Sequence, residues 1–331
     1  MAQQIQIPQP TSPVQDSEKD GLLSRMTAMK YENLAIPDIP KEERGNVWFG
    51  IFGHLGSPIS YVVVLAIVGV DLWSSIWAFF AVSAFFIPFT LVCEKYWPAL
   101  DIPKATAREI WDGLFMVFIK GVAIGGGFVV AGWYAFSKIP LYGKLYNNWW
   151  LIGAATVLLD FAYFLIHQYM SHSRGPNPIL KFYRKKHAAH HSVTELDFLR
   201  GNQSSVADTS LGQFQPALII ISWLLGMDLA PTLVAYGLIL MLQATDHTNI
   251  TFNIGWLSYI FMDNHAHKLH HCKRGNLINH AAGFSFFDRW FGTYYEDWRL
   301  SSNYLHHNGI PLPIKRADEK KKASARDADS E

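Results

Sequence analysis

Residues 149–172 read WWLIGAATVLLDFAYFLIHQYMSH, an apolar run of 18 residues closed by two histidines five positions apart. A run of this length approaches the ~20 residues that take a helix across a hydrocarbon core about 30 Å thick. Trp149 and Trp150, with Tyr142 and Tyr146 just before them, stand where an aromatic interface belt stands. Asp160 lies inside the run, and an acid within a membrane span is costly enough to mark a functional position. It precedes His167 by seven residues, two helical turns, so the two face the same way. The expectation is that Asp160 orients His167 through its second ring nitrogen.

Outward from this stretch the pattern repeats. Apolar runs cover 47–70, 72–92 and 113–136, with Asp71 breaking the first from the second. A fifth run, 216–242, is interrupted by Gly226, Asp228 and Pro231 and reads as two shorter helices, a hairpin or an interfacial pair. The predicted fold is therefore all-α and integral to a membrane. It has about four transmembrane helices plus a re-entrant or interfacial helical pair, capped by a cytosolic histidine-rich helical region. Only 17% of the residues are charged, against about 25% in soluble domains, and the charges crowd into the ends and a few loops. Residues 1–45 read as a polar, partly disordered tail, 46–311 as the membrane domain and 312–331 as a charged disordered tail. Residues 1–20 hold no apolar run, so no cleavable leader is predicted.

Positive charge sets orientation. Lys181, Arg184, Lys185, Lys186, Lys268, Lys273, Arg274 and Arg289 follow the fourth and fifth runs, and Lys41, Arg44, Lys95, Lys104 and Arg108 flank the first two. This arrangement predicts that both termini and every histidine cluster are cytosolic. A net charge of +1 gives no field for nucleic acid. Two cysteines make neither a disulfide framework nor a thiolate zinc site.

Of 14 histidines, 13 lie at or beyond position 167. Three clusters stand out: His167 with His172, His187 with His190 and His191, and His267 with His270 and His271. On a helix, positions i, i+3 and i+4 share a face, so each HxxHH is expected to project three imidazoles to one side. His167 and His172 are about 140° apart on an ideal helix, and either serve different ions or need the second to sit past the helix end. His247, in Asp-His-Thr-Asn, makes nine. Nine nitrogens are too many for one ion and suit two; imidazole suits iron, copper, zinc and nickel alike. His265 and His280 are weaker candidates, the latter as a tenth ligand. His54 reads as structural, and His306 and His307 as solvated.

The order and spacing of these clusters resemble the fatty acid hydroxylase / sterol desaturase superfamily of membrane di-iron enzymes. Asp160 and Tyr163 leading into His167 belong to the resemblance. So does Phe286-Phe287-Asp288-Arg289-Trp290-Phe291-Gly292-Thr293-Tyr294, which looks like the family's WDR-x-FGTY ending; together the likeness covers about residues 85–296. Three departures suggest a divergent branch. Asn279-His280-Ala281 replaces Asn-Tyr/Phe-Gly, Asp263-Asn264 stands where a proline is common, and Phe287 stands for Trp.

The resemblance implies two Fe ions held by the nine histidines, O₂ as oxidant, and hydroxylation or desaturation of a C–H bond in an apolar, lipid-like substrate such as a fatty acyl chain, sphingoid base, sterol or terpenoid. It implies a separate electron donor such as cytochrome b5 or a reductase, and the endoplasmic reticulum as the location in a eukaryote. An aldehyde-processing or carotenoid-type oxidase on the same scaffold is the second reading. A membrane metal-binding or transport protein is the third.

Overall fold

The computed structural model describes residues 47–98, 102, 105–139, 146–173, 175–191, 196–201, 214–250, 254–271 and 278–294, and the backbone of 306–307 and 310–311. The chain divides into two compact units, Met1–Leu34 and Ala35–Glu331, and all described residues belong to the second. The expected tails 1–45 and 312–331 lie outside the described residues, as do Lys41, Arg44, Lys104, Lys273 and Arg274.

The architecture is helical, as the apolar runs predicted. Helices α1 (Val47–Val68), α2 (Leu72–Tyr96), α3 (Ala107–Ser137), α4 (Trp149–Ser171) and α8 (Leu229–Asp246) are each long and apolar enough to cross a membrane. Between them come α5 (Pro178–His190), the single turn α6 (Phe198–Gly201) and the ten-residue α7 (Gln215–Leu224). After α8 follow a 3₁₀ turn (Gly255–Tyr259), α9 (Asn264–His271) and α10 (Phe286–Trp290). A two-residue antiparallel pair, β1 (His306–His307) with β2 (Ile310–Pro311), places His306 opposite Pro311.

Local chemistry explains the helix starts. Asp71, read as a break, is the N-cap of α2: its carboxylate accepts the amides of Trp73 and Ser74 at 2.9 and 3.0 Å. Thr106 and Glu109 form a reciprocal capping box at the start of α3. Asn177 caps α5, with Pro178 at its first position. The break in the fifth run is also real. Gly226 adopts φ 63°, a left-handed conformation that suits glycine, and Asp228 then caps α8 through the Leu229 amide. The second member of the pair is nevertheless 18 residues long, enough to span.

Hydrogen bonds fix how the helices run. Tyr146, just before α4, pairs with the turn at 226–228 between α7 and α8. Asn147 bonds the carbonyl of Val70, between α1 and α2, and Trp223 bonds that of Ile139, beyond α3. These turns share one end of the bundle. The opposite end gathers the last turn of α2, where Glu94 accepts the amide of Asn249, together with His167 and His247 at the ends of α4 and α8. Thus α7 leaves the histidine end and α8 returns to it, a hairpin within the bundle. The outward faces of the spans expose Ile59, Val63, Ile67, Trp77 and Phe85, which suits contact with lipid.

Candidate metal centre

Four elements bring their histidines to one end. α4 ends in a π-turn, His167–Ser171, in which the amide of His172 bonds the carbonyl of His167 at 3.1 Å. This i→i+5 winding brings positions 167 and 172 over one another with His172 just past the helix end, the second of the two arrangements their spacing allowed. α5 delivers His187, His190 and His191; the end of α8 delivers His247; α9 delivers His267, His270 and His271.

The nine imidazoles named from the sequence assemble into two adjoining groups. One holds His167, His172, His187, His191 and His270; the other holds His190, His247, His267 and His271. His167 and His172 thus serve one group, not two. Each HxxHH is split as well. The i, i+4 pair of α5, His187 and His191, joins the first group, while its i+3 member, His190, joins the second. In α9 the pair His267 and His271 joins the second group and His270 the first. Neither motif acts as a facial triad. The two motifs cross over, so adjacent chain neighbours form the wall between the groups, where the His191 and His271 rings stack at 4.4 Å.

The Nε2 atoms converge. In the five-histidine group His167–His187, His187–His191 and His191–His270 stand 2.8, 2.9 and 3.1 Å apart. In the four-histidine group His190–His247, His247–His271, His247–His267 and His267–His271 stand 3.2, 3.2, 3.2 and 3.3 Å apart. Metal–nitrogen bonds of about 2.0–2.1 Å give edges of about 2.9 Å at right angles and about 3.4 Å in a tetrahedron. The observed spacings fall along that range, and all ligand atoms of a group lie within 4.8 Å of one another, so each group could hold one ion.

Burial keeps these groups ready to ligate. It holds the imidazole of His172 down to about 4 and that of His267 to about 3. Burial first, then neighbouring histidines, holds His187, His191, His247, His270 and His271 well below the usual imidazole range. Neutral imidazole is the form a metal binds. Two outer nitrogens are also committed: His167 Nδ1 bonds the carbonyl of His280 at 2.5 Å, and His270 Nδ1 that of Ile278 at 2.8 Å. A donor at Nδ1 leaves the Nε2 lone pair facing the group.

Asp160 does not do what its spacing suggested. Its carboxylate accepts the amides of Ala282, Gly283 and Phe284 at 3.1, 3.0 and 2.7 Å, and the His280 carbonyl takes the place expected for it beside His167. His280 is buried against the five-histidine group, its ring 5.3–5.5 Å from those of His167, His172 and His270. Neither His280 nor His265, also buried, belongs to either converging group. His54 is buried inside α1, with Nε2 3.8 Å from Asp246.

Several residues at this end carried no sequence signal for their role. Glu94 accepts the amides of both Phe198 and Asn249 at 2.7 Å, tying α6 and the segment after α8 to α2. Lys186 and Lys268, counted as flanking positive charges, are buried instead. Lys186 lies 4.4 Å from the Tyr183 ring centre, and burial pushes the Lys268 amine down to about 8. Gly201 presses against His247, with no room for a Cβ.

Residues 152–293 match the family model for fatty acid hydroxylase. No curated protein and no solved structure matches the chain. The matched stretch begins inside α4, ends at Thr293 and contains all nine converging histidines. This stretch is similar to that family, and the five apolar helices and the two histidine groups that could hold metal are consistent with the likeness.

Proposed function

We propose, from the likeness of residues 152–293 to the fatty acid hydroxylase family, that this protein is an O₂-dependent membrane oxidase that hydroxylates or desaturates a C–H bond of a lipid-like substrate. The observation behind this reading is the convergence of nine imidazoles into two adjoining groups with the edge lengths of coordination polyhedra. Iron, held by His167, His172, His187, His191 and His270 on one side and by His190, His247, His267 and His271 on the other, would supply the redox chemistry that no side chain in the site can supply.

The chain's own part is to hold, orient and keep dry. The imidazoles are buried or half-buried, and hydrogen bonds to backbone carbonyls fix the rings of His167 and His270. A cavity of about 130 Å³ runs among α1, α2, α3 and α8 and reaches the site. Apolar and small residues such as Gly53, Phe86, Gly121 and Met241 line it, and it touches His190 and His247. Both belong to the four-histidine group, which also leaves more ligand positions open than five histidines do. A lipid chain entering from the spans would therefore meet that group first. Electrons would come from a separate donor at the histidine end, where Lys181 and Lys185 of α5 are exposed; by the positive-charge rule this end is cytosolic.

The test is a lipid profile of a host with and without the gene, paired with metal analysis of the purified protein. An alcohol or alkene absent from the control, with two iron ions per chain, supports the reading. A shortened chain or an aldehyde product would move the assignment to another oxidase on this scaffold. A pure protein that takes up no metal would refute it.

A further inference from the structure

We propose that Asp288 and Asp160 form a paired carboxylate clamp that positions the five-histidine group, with Asp288 acting on His167 through a single peptide unit. The inference rests on the reading that this group holds an ion. The two side chains, both fully buried, between them take five consecutive amides. Asp288 accepts those of His280 and Ala281, each at 2.8 Å. Asp160 accepts those of Ala282, Gly283 and Phe284. Buried carboxylates are expensive unless their lone pairs are filled, and the turn at 280–284 fills them.

The geometry at residue 280 gives the clamp its reach. The carbonyl of His280 and the amide of Ala281 belong to one planar trans peptide group. Its N–H donates to Asp288 Oδ2, and its oxygen accepts from His167 Nδ1. The carboxylate therefore faces one end of a rigid dipole and the imidazole the other. Hydrogen bonds in such a chain polarise one another, so the negative charge makes the carbonyl a better acceptor and the imidazole a stronger ligand. A second thread runs alongside. The carbonyl of Ile278, which holds His270, shares its peptide with the amide of Asn279, and that amide donates to the carbonyl of Thr293 at 3.0 Å. Thr293 is itself bonded to Asp288 through its hydroxyl at 2.6 Å. Asn279 sits at φ 54°, and its side-chain amide donates to the carbonyl of Ala266 at 2.7 Å, fastening the turn to α9. Both imidazoles so held lie in the five-histidine group. In the four-histidine group the Nδ1 atoms of His247, His267 and His271 are not bonded to this turn.

The experiment is a titration of the purified, metal-free full chain in detergent with Co²⁺, followed by its visible absorption. Wild type is expected to fill in two steps, one lost in His270→Ala and the other in His190→Ala. Asp288→Asn should weaken the His270-dependent step by about 10–100-fold, the usual size of an outer partner's effect on metal affinity. It should leave the His190-dependent step within about twofold, and Asp288→Glu should recover part of the loss. If Asp288→Asn does not give monodisperse protein, Asp160→Asn is titrated in the same way and must split the two steps alike. Two steps unchanged, or both weakened equally, would overturn the clamp. A wild type that binds no Co²⁺ would instead refute the metal reading on which it rests.

Discussion

His247 can stand where it does because residue 201 has no side chain. A methyl group at Gly201 would collide with the Cβ and ring of His247, and protein interiors seldom absorb such an overlap without moving something. Gly201→Ala is therefore expected to displace His247 and to lower metal content at the four-histidine group, read as bound metal per chain, with the other ion retained. The ligands themselves give the sharper test. His190→Ala and His270→Ala should each abolish activity and remove one ion, while expression stays close to wild type; full activity in either variant contradicts the ligand assignment. At this scale the nine converging imidazoles were legible from the sequence, because two HxxHH clusters at helical spacing, with a histidine pair upstream, do not arise by chance on a solvated surface. The partners of those imidazoles were not legible. Gly201 and His247 touch although they are far apart along the chain, and the carbonyls that hold His167 and His270 are main-chain atoms that no residue type announces.

Helices decide which imidazoles share a group. The i, i+3, i+4 rule correctly put three imidazoles on one side of α5 and of α9, yet a face is wider than one coordination sphere. Packed side by side, the two helices divide each face between two groups. The π-winding at the end of α4 swings His172 round to join His167. A second π-segment, Met116–Gly125, lies inside α3 beside the cavity. There the Tyr236 hydroxyl donates to the Gly121 carbonyl at 2.8 Å, and Gly121 lines the cavity. A Cβ at Gly121 would make only an ordinary contact, 3.7 Å from the Met116 carbonyl. Gly121→Leu should therefore fold and keep its metal, but fill the cavity and cut product formation several-fold in the host lipid profile. An unchanged profile would mean that the substrate does not pass this way. The break between α7 and α8 was readable from Gly226 and Asp228. The length of α8 was harder to read, because Pro231 falls in its first turn, where proline is tolerated, and not in its middle.

Across the whole molecule, the histidine end is a buried set of neutral bases. A histidine whose folded pKa lies below its unfolded value of about 6.5 is neutral in both states above that pH, so it costs nothing there. As pH falls below about 6.5 the unfolded chain takes up protons that the folded site refuses, and stability is lost. For His172 this continues to about pH 4 and for His267 to about pH 3. Outside the spanning helices Asp288, raised by burial to about 6, works in the opposite direction, one carboxyl there against seven shifted imidazoles. The melting temperature of metal-free protein should therefore hold steady from about pH 8 to about 6.5 and fall between about 6.5 and 4. A melting temperature that rises over that interval would contradict this balance.

The sequence by itself determined the membrane-spanning helical class, the nine imidazoles and their crowding toward one end of the bundle. Those properties follow from local apolar length and from the rarity of so many ligand-type side chains at helical spacing. Only the tertiary structure decided which histidines share a group, which amides Asp160 and Asp288 accept, and that the cavity opens on His190 and His247. Each of these depends on contacts between residues far apart in the chain, where packing and backbone hydrogen bonds act and no periodicity in the sequence records them.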